Sequence, residues 1–223
     1  MSLPELDVAD LRRAFHRRAE PGWCEVATAA TVVEVLETLG WQTRFGADVV
    51  RDEARLGLPD PKVMTAFYDR AIRYGVARVV ADRLRDGFTG VVGSLKGARP
   101  GPTIAVRVDM DANLGIEAEG EAHLPARLGF RSQHEGVQHN CGHDGHTAIG
   151  LGLAAALSQR GADLGGEVRL IFQPAEEGLR GASSMVAAGV LDGVDLFFGF
   201  HIGVQALVPG ELIAGYQNIL ASA

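Results

Sequence analysis

Between residues 5 and 19, and again between 25 and 39, apolar side chains recur at three- and four-residue intervals, the spacing that lays one stripe along an α-helix. The second run, EVATAATVVEVLETL, ends before Gly40, so two amphipathic helices are predicted to open the chain. A short strand is expected near WQTRFG, followed by the turn-rich passage ADVVRDEARLGLPDPKV. From about Val63 to Asp86 the helical spacing returns, with room for one or two helices. Residues 43 to 86 thus read as a helical insert beside the core.

From residue 87 the pattern shortens. GFTGVVGSL, TIAVRVDMD, EVRLIFQP and DLFFGFHI are β-branched or aromatic runs, separated by glycine-rich turns and by helical stretches at 143 to 159 and 181 to 190. Strands alternating with helices predict an α/β fold in which helices flank a sheet. Such folds place chemistry at the carboxyl ends of their strands. Asp109 and Asp111 close TIAVRVDMD, Glu176 and Glu177 follow LIFQP, His201 ends LFFGFHI, and HNCGHDGHT precedes a helix.

Charge and cysteine content narrow the field. The 223 residues carry 21 basic and 28 acidic side chains, net −7, without a basic cluster, which speaks against nucleic acid as a partner. The polar N-terminus lacks the apolar core of a signal peptide, and no run reaches the roughly 18 apolar residues of a membrane span. A cytoplasmic protein, with no membrane partner, is expected. In a reducing compartment Cys24 and Cys141 are expected as free thiols, Cys24 as a small buried hydrophobe inside a helix.

HNCGHDGHT, residues 139 to 147, admits three readings: a metal site, a polar loop capping a helix, or a thiol nucleophile. Gly142 allows a tight bend that turns Cys141 and His143 toward one centre, where a thiolate and an imidazole suit a divalent ion of borderline softness. No cysteine-protease signature surrounds Cys141. In PAEEG, one carboxylate can bind metal while its neighbour moves a proton, or both can simply favour a helix N-terminus. VDMD offers ligands or orienting carboxylates, and against them a plain strand cap. His139 and His146 flank the Cys141–His143 pair as orienting or substrate-facing groups, whereas His16, His123 and His134 carry no pattern and are expected at the surface. Neither a G-x-S-x-G elbow nor a phosphate-binding P-loop is present.

In order along the chain, TIAVRVDMDA, HNCGHDGHTAIGLGLA, LIFQPAEEGLRGA and GFHIG resemble the motifs of the aminoacylase/carboxypeptidase-like metallo-amidohydrolases, a family that includes hippurate hydrolases and N-acyl-amino-acid deacylases. GLPD, the helical insert, ARPGP and MVAAGVLDGVD are more similar to its p-aminobenzoyl-glutamate-hydrolysing branch. The resemblance implies a three-layer α/β domain of the zinc-peptidase kind, with a mixed sheet flanked by helices. It implies two divalent ions, Mn2+ ahead of Zn2+, held by Cys141 as bridge and by His143, Glu177 and His201, with Glu176 as general base. Arg107, standing where the wider superfamily has a histidine ligand, would orient the site with Asp109, Asp111, Asp144, His139 and His146. Asn140, and Asn113 with Leu114, depart conservatively from the family pattern.

The implied activity is hydrolysis of the amide between an aryl or acyl group and an amino acid, p-aminobenzoyl-glutamate foremost. A general N-acyl-amino-acid or hippurate hydrolase and a non-catalytic metal-binding fragment are the alternatives. By the same resemblance, residues 1 to 223 form the N-terminal part of the catalytic domain, without the lid or dimerisation domain and without a last histidine ligand. The full-length parent is expected to be an oligomer that includes a homologous second subunit.

Overall fold

The computed structural model describes residues 6–199, 201 and 202. Helix α1 (Val8–Arg17) is capped by Asp7, whose side chain accepts from the Asp10 amide. Helix α2 (Val26–Thr38) is apolar on nearly every side and lies largely in the core. Both predicted N-terminal helices are present, slightly shortened. Cys24, expected inside the second, lies in the turn before it, where its N–H donates to the Pro21 carbonyl; its side chain is fully buried as foreseen.

Strand β1 (Gln42–Phe45) follows, then helices α3 (Pro61–Arg73) and α4 (Arg78–Leu84). Asp60 caps α3 and Pro61 occupies its first turn, where a missing N–H costs nothing. The next elements are β2 (Val91–Lys96), β3 (Arg99–Asp109), the short β4 (Asn113–Leu114), the single-turn α5 (Leu124–Arg127), and β5 (Val137–Gln138), which pairs only with β4. Helix α6 (His143–Ser158), β6 (Gly165–Gln173), α7 (Ala182–Ala187) and β7 (Leu196–Gly199) complete the described chain. Strand β2 begins later than expected because Arg85–Gly87 form a tight turn, with Asp86 in the left-handed region. Asp111 and His201, read as strand-terminal, lie two residues beyond β3 and β7.

The main sheet runs β1-β2-β6-β3-β7: β1, β2 and β6 are antiparallel neighbours, while β6, β3 and β7 run parallel. The expected mixed sheet with flanking helices is therefore present. Its two faces divide the core. Val91, Val108, Leu170 and Phe172 pack with Leu36 of α2 and Ala148 and Leu151 of α6, while Val92, Ala105 and Ile171 meet Trp23, Val49, Val50 and Met185 on the opposite face. Side chains of adjacent strand residues point to opposite faces, which explains this partition. Helix α6 lies close on the sheet because residue 150 is glycine: a Cβ there would fall 3.0 Å from Phe172 and 3.1 Å from Val108. No helix among the described residues is long and apolar enough to cross a membrane.

Register brings the polar residues together. Asp109 of β3 pairs with Gln173 of β6, so the Pro174–Glu177 turn leaves the sheet beside Asp109. Arg107 pairs with Gly199 of β7, which puts residue 201 level with Asp109 on the other flank.

Candidate metal centre

Gly142, with φ 95°, forms the bend that starts α6 and sets His143 at its first helical position, a conformation that favours glycine. His143 is fully buried and stands at the middle of the cluster. Its Nδ1 lies 3.3 Å from Asp111 Oδ1, and its Nε2 lies 3.7 Å from Asp109, 3.8 Å from Glu176 and 3.9 Å from Glu177. Cys141 Sγ lies 3.4 Å from His201 Nε2. Among the described residues, atoms able to ligate a metal fall within 4.8 Å of one another in three overlapping groups: Cys141, His143 and His201; Asp109, His143 and His146; His143, Glu176 and Glu177.

Other bonds hold this arrangement. Asp109 Oδ1 is 2.5 Å from His146 Nδ1, and Arg107 Nη1 is 2.8 Å from Asp109 Oδ2. The Ile202 N–H donates to His146 Nε2, so Nδ1 carries the proton donated to Asp109. Asp111 accepts from the Glu176 and Glu177 amides at 2.8 and 3.0 Å. Asn113 Nδ2 donates to Glu177 and to Asn140. Asp144 faces away from this cluster and accepts from His16 and Arg12, both at 2.8 Å. His139 is buried without a hydrogen-bond partner among the described residues, and burial pushes it down to about 4. Of the sequence-identified residues, all except Asp144 and His139 thus contact another of the set directly.

The electrostatics describe a site built for a cation. Burial works against a charged His143, yet the adjoining Asp111 and the charges of Asp109 and Glu176 bring it up to about 9. Neither of its ring nitrogens has a hydrogen-bond partner among the described residues, and Asp109 Oδ2 lacks one of good geometry. Buried polar atoms left this way are costly, and a metal ion satisfies imidazole, thiolate and carboxylate together. Burial pushes the Cys141 thiol up to about 12, and Glu177 adds to the effect. A free thiolate nucleophile is therefore poorly supported here, whereas a bound cation reverses that balance. Burial likewise raises Glu176 above the usual carboxylate value, with Arg107 opposing.

Two expectations are corrected. His16 and His134 are buried rather than superficial: His16 sits between Asp144 and Glu117, and His134 bonds the Ala19 carbonyl and the Tyr74 hydroxyl. His123 is half-buried and bonded to Glu117. Sequence reading also missed Glu20, Glu25 and Glu117, three buried carboxylates. The signal for the first two was their position in RAEPGWCEV, an otherwise apolar approach to α2.

Imidazole, thiol and paired carboxylates, gathered where β6, β3 and β7 end and α6 begins, make a donor set of the metallohydrolase kind. Residues 105–215 match Peptidase family M20/M25/M40, and the chain carries a peptidase M20 domain, in agreement with the resemblance of its motifs. It is 47% identical to a subunit of p-aminobenzoyl-glutamate hydrolase from Escherichia coli (strain K12) over 211 residues, 95% of this chain and 48% of that one. Indole-3-acetyl-aspartic acid hydrolase of Enterobacter agglomerans is 47% identical over 221 residues, covering 99% of this chain and 50% of its own. Among solved structures, the aminobenzoyl-glutamate utilization protein from Klebsiella pneumoniae superposes with a TM-score of 0.73 at 44% identity, covering 88% of this chain and 43% of that one. A Bacillus subtilis protein described as a dinuclear metal binding peptidase from the M20 family gives 0.64 at 33%, covering 87% and 42%. The chain spans about half the length of the curated relatives it matches.

Proposed function

We propose that this chain supplies the metal-binding part of an amidohydrolase that cleaves the bond between an aromatic acyl group and an acidic amino acid, p-aminobenzoyl-glutamate foremost. The observation that carries the reading is the Glu176–Glu177 pair, two neighbouring carboxylates that both face His143. One can serve as a ligand while the other stays free to move a proton. The names of the two relatives support the substrate class, since p-aminobenzoyl-glutamate and indole-3-acetyl-aspartic acid both join an aromatic acyl group to an acidic residue. Cys141, His143, Glu177 and His201 would hold two divalent ions, Mn2+ ahead of Zn2+. Ions bound there supply Lewis acidity, which polarises an amide carbonyl and acidifies water.

Glu176 takes the proton from the attacking water and delivers it to the departing amide nitrogen as the C–N bond breaks. Asp109 orients His146, and Arg107 fixes Asp109; Asp111 holds the backbone that presents both glutamates. The whole protein is read as a cytoplasmic oligomer whose partner is a homologous second subunit.

Hydrolysis of p-aminobenzoyl-glutamate, indole-3-acetyl-aspartate and hippurate by the whole protein with added Mn2+ tests the reading. Glu176→Gln is expected to lower kcat by about 10²–10⁴-fold while the protein still binds metal. Undiminished turnover in that variant removes Glu176 as the base. Preference for hippurate would favour the general N-acyl-amino-acid hydrolase instead.

A further inference from the structure

Three consecutive backbone N–H groups, those of Ala175, Glu176 and Glu177, each donate to a buried carboxylate. Ala175 donates to Glu25 Oε1 at 2.8 Å, while Glu176 and Glu177 donate to the two oxygens of Asp111. Successive amides aimed one way form an anion-binding concavity, and here the protein fills it with its own side chains. Glu25 comes from the N-terminal segment, 150 residues from Ala175, and its other oxygen accepts from the Thr89 hydroxyl at 2.6 Å. Glu25, Thr89 and Ala175 are all fully buried.

Burying a carboxyl group completely is costly, so packing alone would favour an apolar residue at position 25. The Ala175 amide supplies the reason for a carboxylate. Ala175 has φ 47°, a left-handed conformation that strains a non-glycine residue and persists only where its surroundings hold it. Its carbonyl accepts from the Arg180 and Gly181 amides, so Glu25 secures the other end of the same residue. Gly22 brings the segment close enough: a Cβ there would lie 3.0 Å from the Ala175 Cα.

We propose that Glu25 is a positioning residue for the Glu176–Glu177 pair: with Asp111 it grips the strained turn and fixes where the two glutamates leave the chain. The assignment rests on the amidohydrolase reading and deepens it, because the Glu25 carboxylate is bonded to Thr89 and the Ala175 amide and acts through the turn.

The test compares Glu25→Gln with Glu25→Leu in the whole protein. Gln keeps an oxygen for the Ala175 amide and a partner for Thr89; Leu keeps the volume and loses both. Glu25→Leu is expected to lower kcat by about 10–100-fold with KM unchanged, to weaken Co2+ binding by about tenfold, and to alter the visible spectrum of the Co2+-loaded protein. Glu25→Gln is expected to restore all three. A folded Leu variant with wild-type kcat, Co2+ affinity and spectrum overturns the proposal, as does a Gln variant as impaired as Leu. If the Leu variant does not fold, Thr89→Val decides: a lowered kcat with altered Co2+ spectrum supports the role, and wild-type values overturn it. A wild-type protein that binds Co2+ and hydrolyses no amide sinks the functional reading, while affinity and spectrum still judge Glu25.

Discussion

Replacing His16 with leucine removes an imidazole that lies between two buried carboxylates. Its Nδ1 is 2.8 Å from Asp144 and its Nε2 2.8 Å from Glu117, and all three side chains are almost inaccessible. Both nitrogens can donate at once only if the ring is protonated. Burial opposes that charge, but Asp144 and Glu117 together raise the His16 pKa above its ordinary value. Asp144 is held at about 2 against the cost of its burial, chiefly by His16, and Glu117 is also lowered. Removing one member of a buried charged set costs about 3–5 kcal/mol. Here Asp144 keeps Arg12, and Glu117 keeps Ser132 and His123, so the lower end, about 3 kcal/mol, is expected. For a chain of this size that corresponds to a fall in Tm of about 6–12 °C, read by circular dichroism in chelator. His16 stabilises fully below its unfolded pKa of about 6.5, and that contribution fades as pH rises through the higher folded pKa. The Tm gap between wild type and His16→Leu should therefore be widest below about pH 6.5 and narrow as pH rises through the raised folded pKa. A loss below about 1 kcal/mol, the range of exposed pairs, or a gap that widens with pH, would refute the buried imidazolium.

Two further outcomes follow from the metal centre and the cysteines. Adding Mn2+ or Zn2+ at about 100 times its Kd should stabilise the protein by about 2.7 kcal/mol, seen as a higher Tm that chelator reverses; an unchanged Tm removes the site. Cys24 is fully buried and Cys141 only partly, so a thiol reagent should label Cys141 alone in the native protein, and metal should slow that labelling. Rapid labelling of Cys24 contradicts its core position, and labelling of Cys141 indifferent to metal contradicts its role as ligand.

The sheet was legible because period-2 runs such as TIAVRVD have side chains committed to two buried faces, and no other element satisfies that pattern. Its end positions were less so. Strand β2 starts four residues after GFTG begins, because Asp86 in the left-handed region and the tight turn at Arg85–Gly87 delay pairing. The candidate metal cluster was legible for a different reason: cysteine, histidine and paired glutamate at strand ends and a helix start are chemically conspicuous, and the parallel register of β6, β3 and β7 makes their ends converge on α6. Asp111 shows the limit of such reading. Its sequence position suggests a ligand or an orienting group, but it is the fold that brings its two oxygens onto the amides of Glu176 and Glu177, 65 and 66 residues away.

What periodicity misread was the charge inside the first helical segments, because it assigns ionisable side chains to the solvent face. His16, Glu20 and Glu25 break that rule within ten residues, and each reaches a different part of the site's support. His16 ties α1 to Asp144, the neighbour of His143. Glu20 caps α2 through the Ala27 and Thr28 amides, while its carbonyl takes the Ala112 amide just beyond Asp111. Glu25 takes the Ala175 amide ahead of Glu176. Burial raises Glu20 to about 7 and Glu25 to about 8, a cost that an apolar segment would avoid. A scaffold needed only for packing gains nothing from three such groups; one that must hold three separate backbone segments in fixed relation gains an acceptor or donor at each. The N-terminal segment therefore belongs to the architecture of the candidate metal centre, even though none of the candidate ligands among the described residues comes from it.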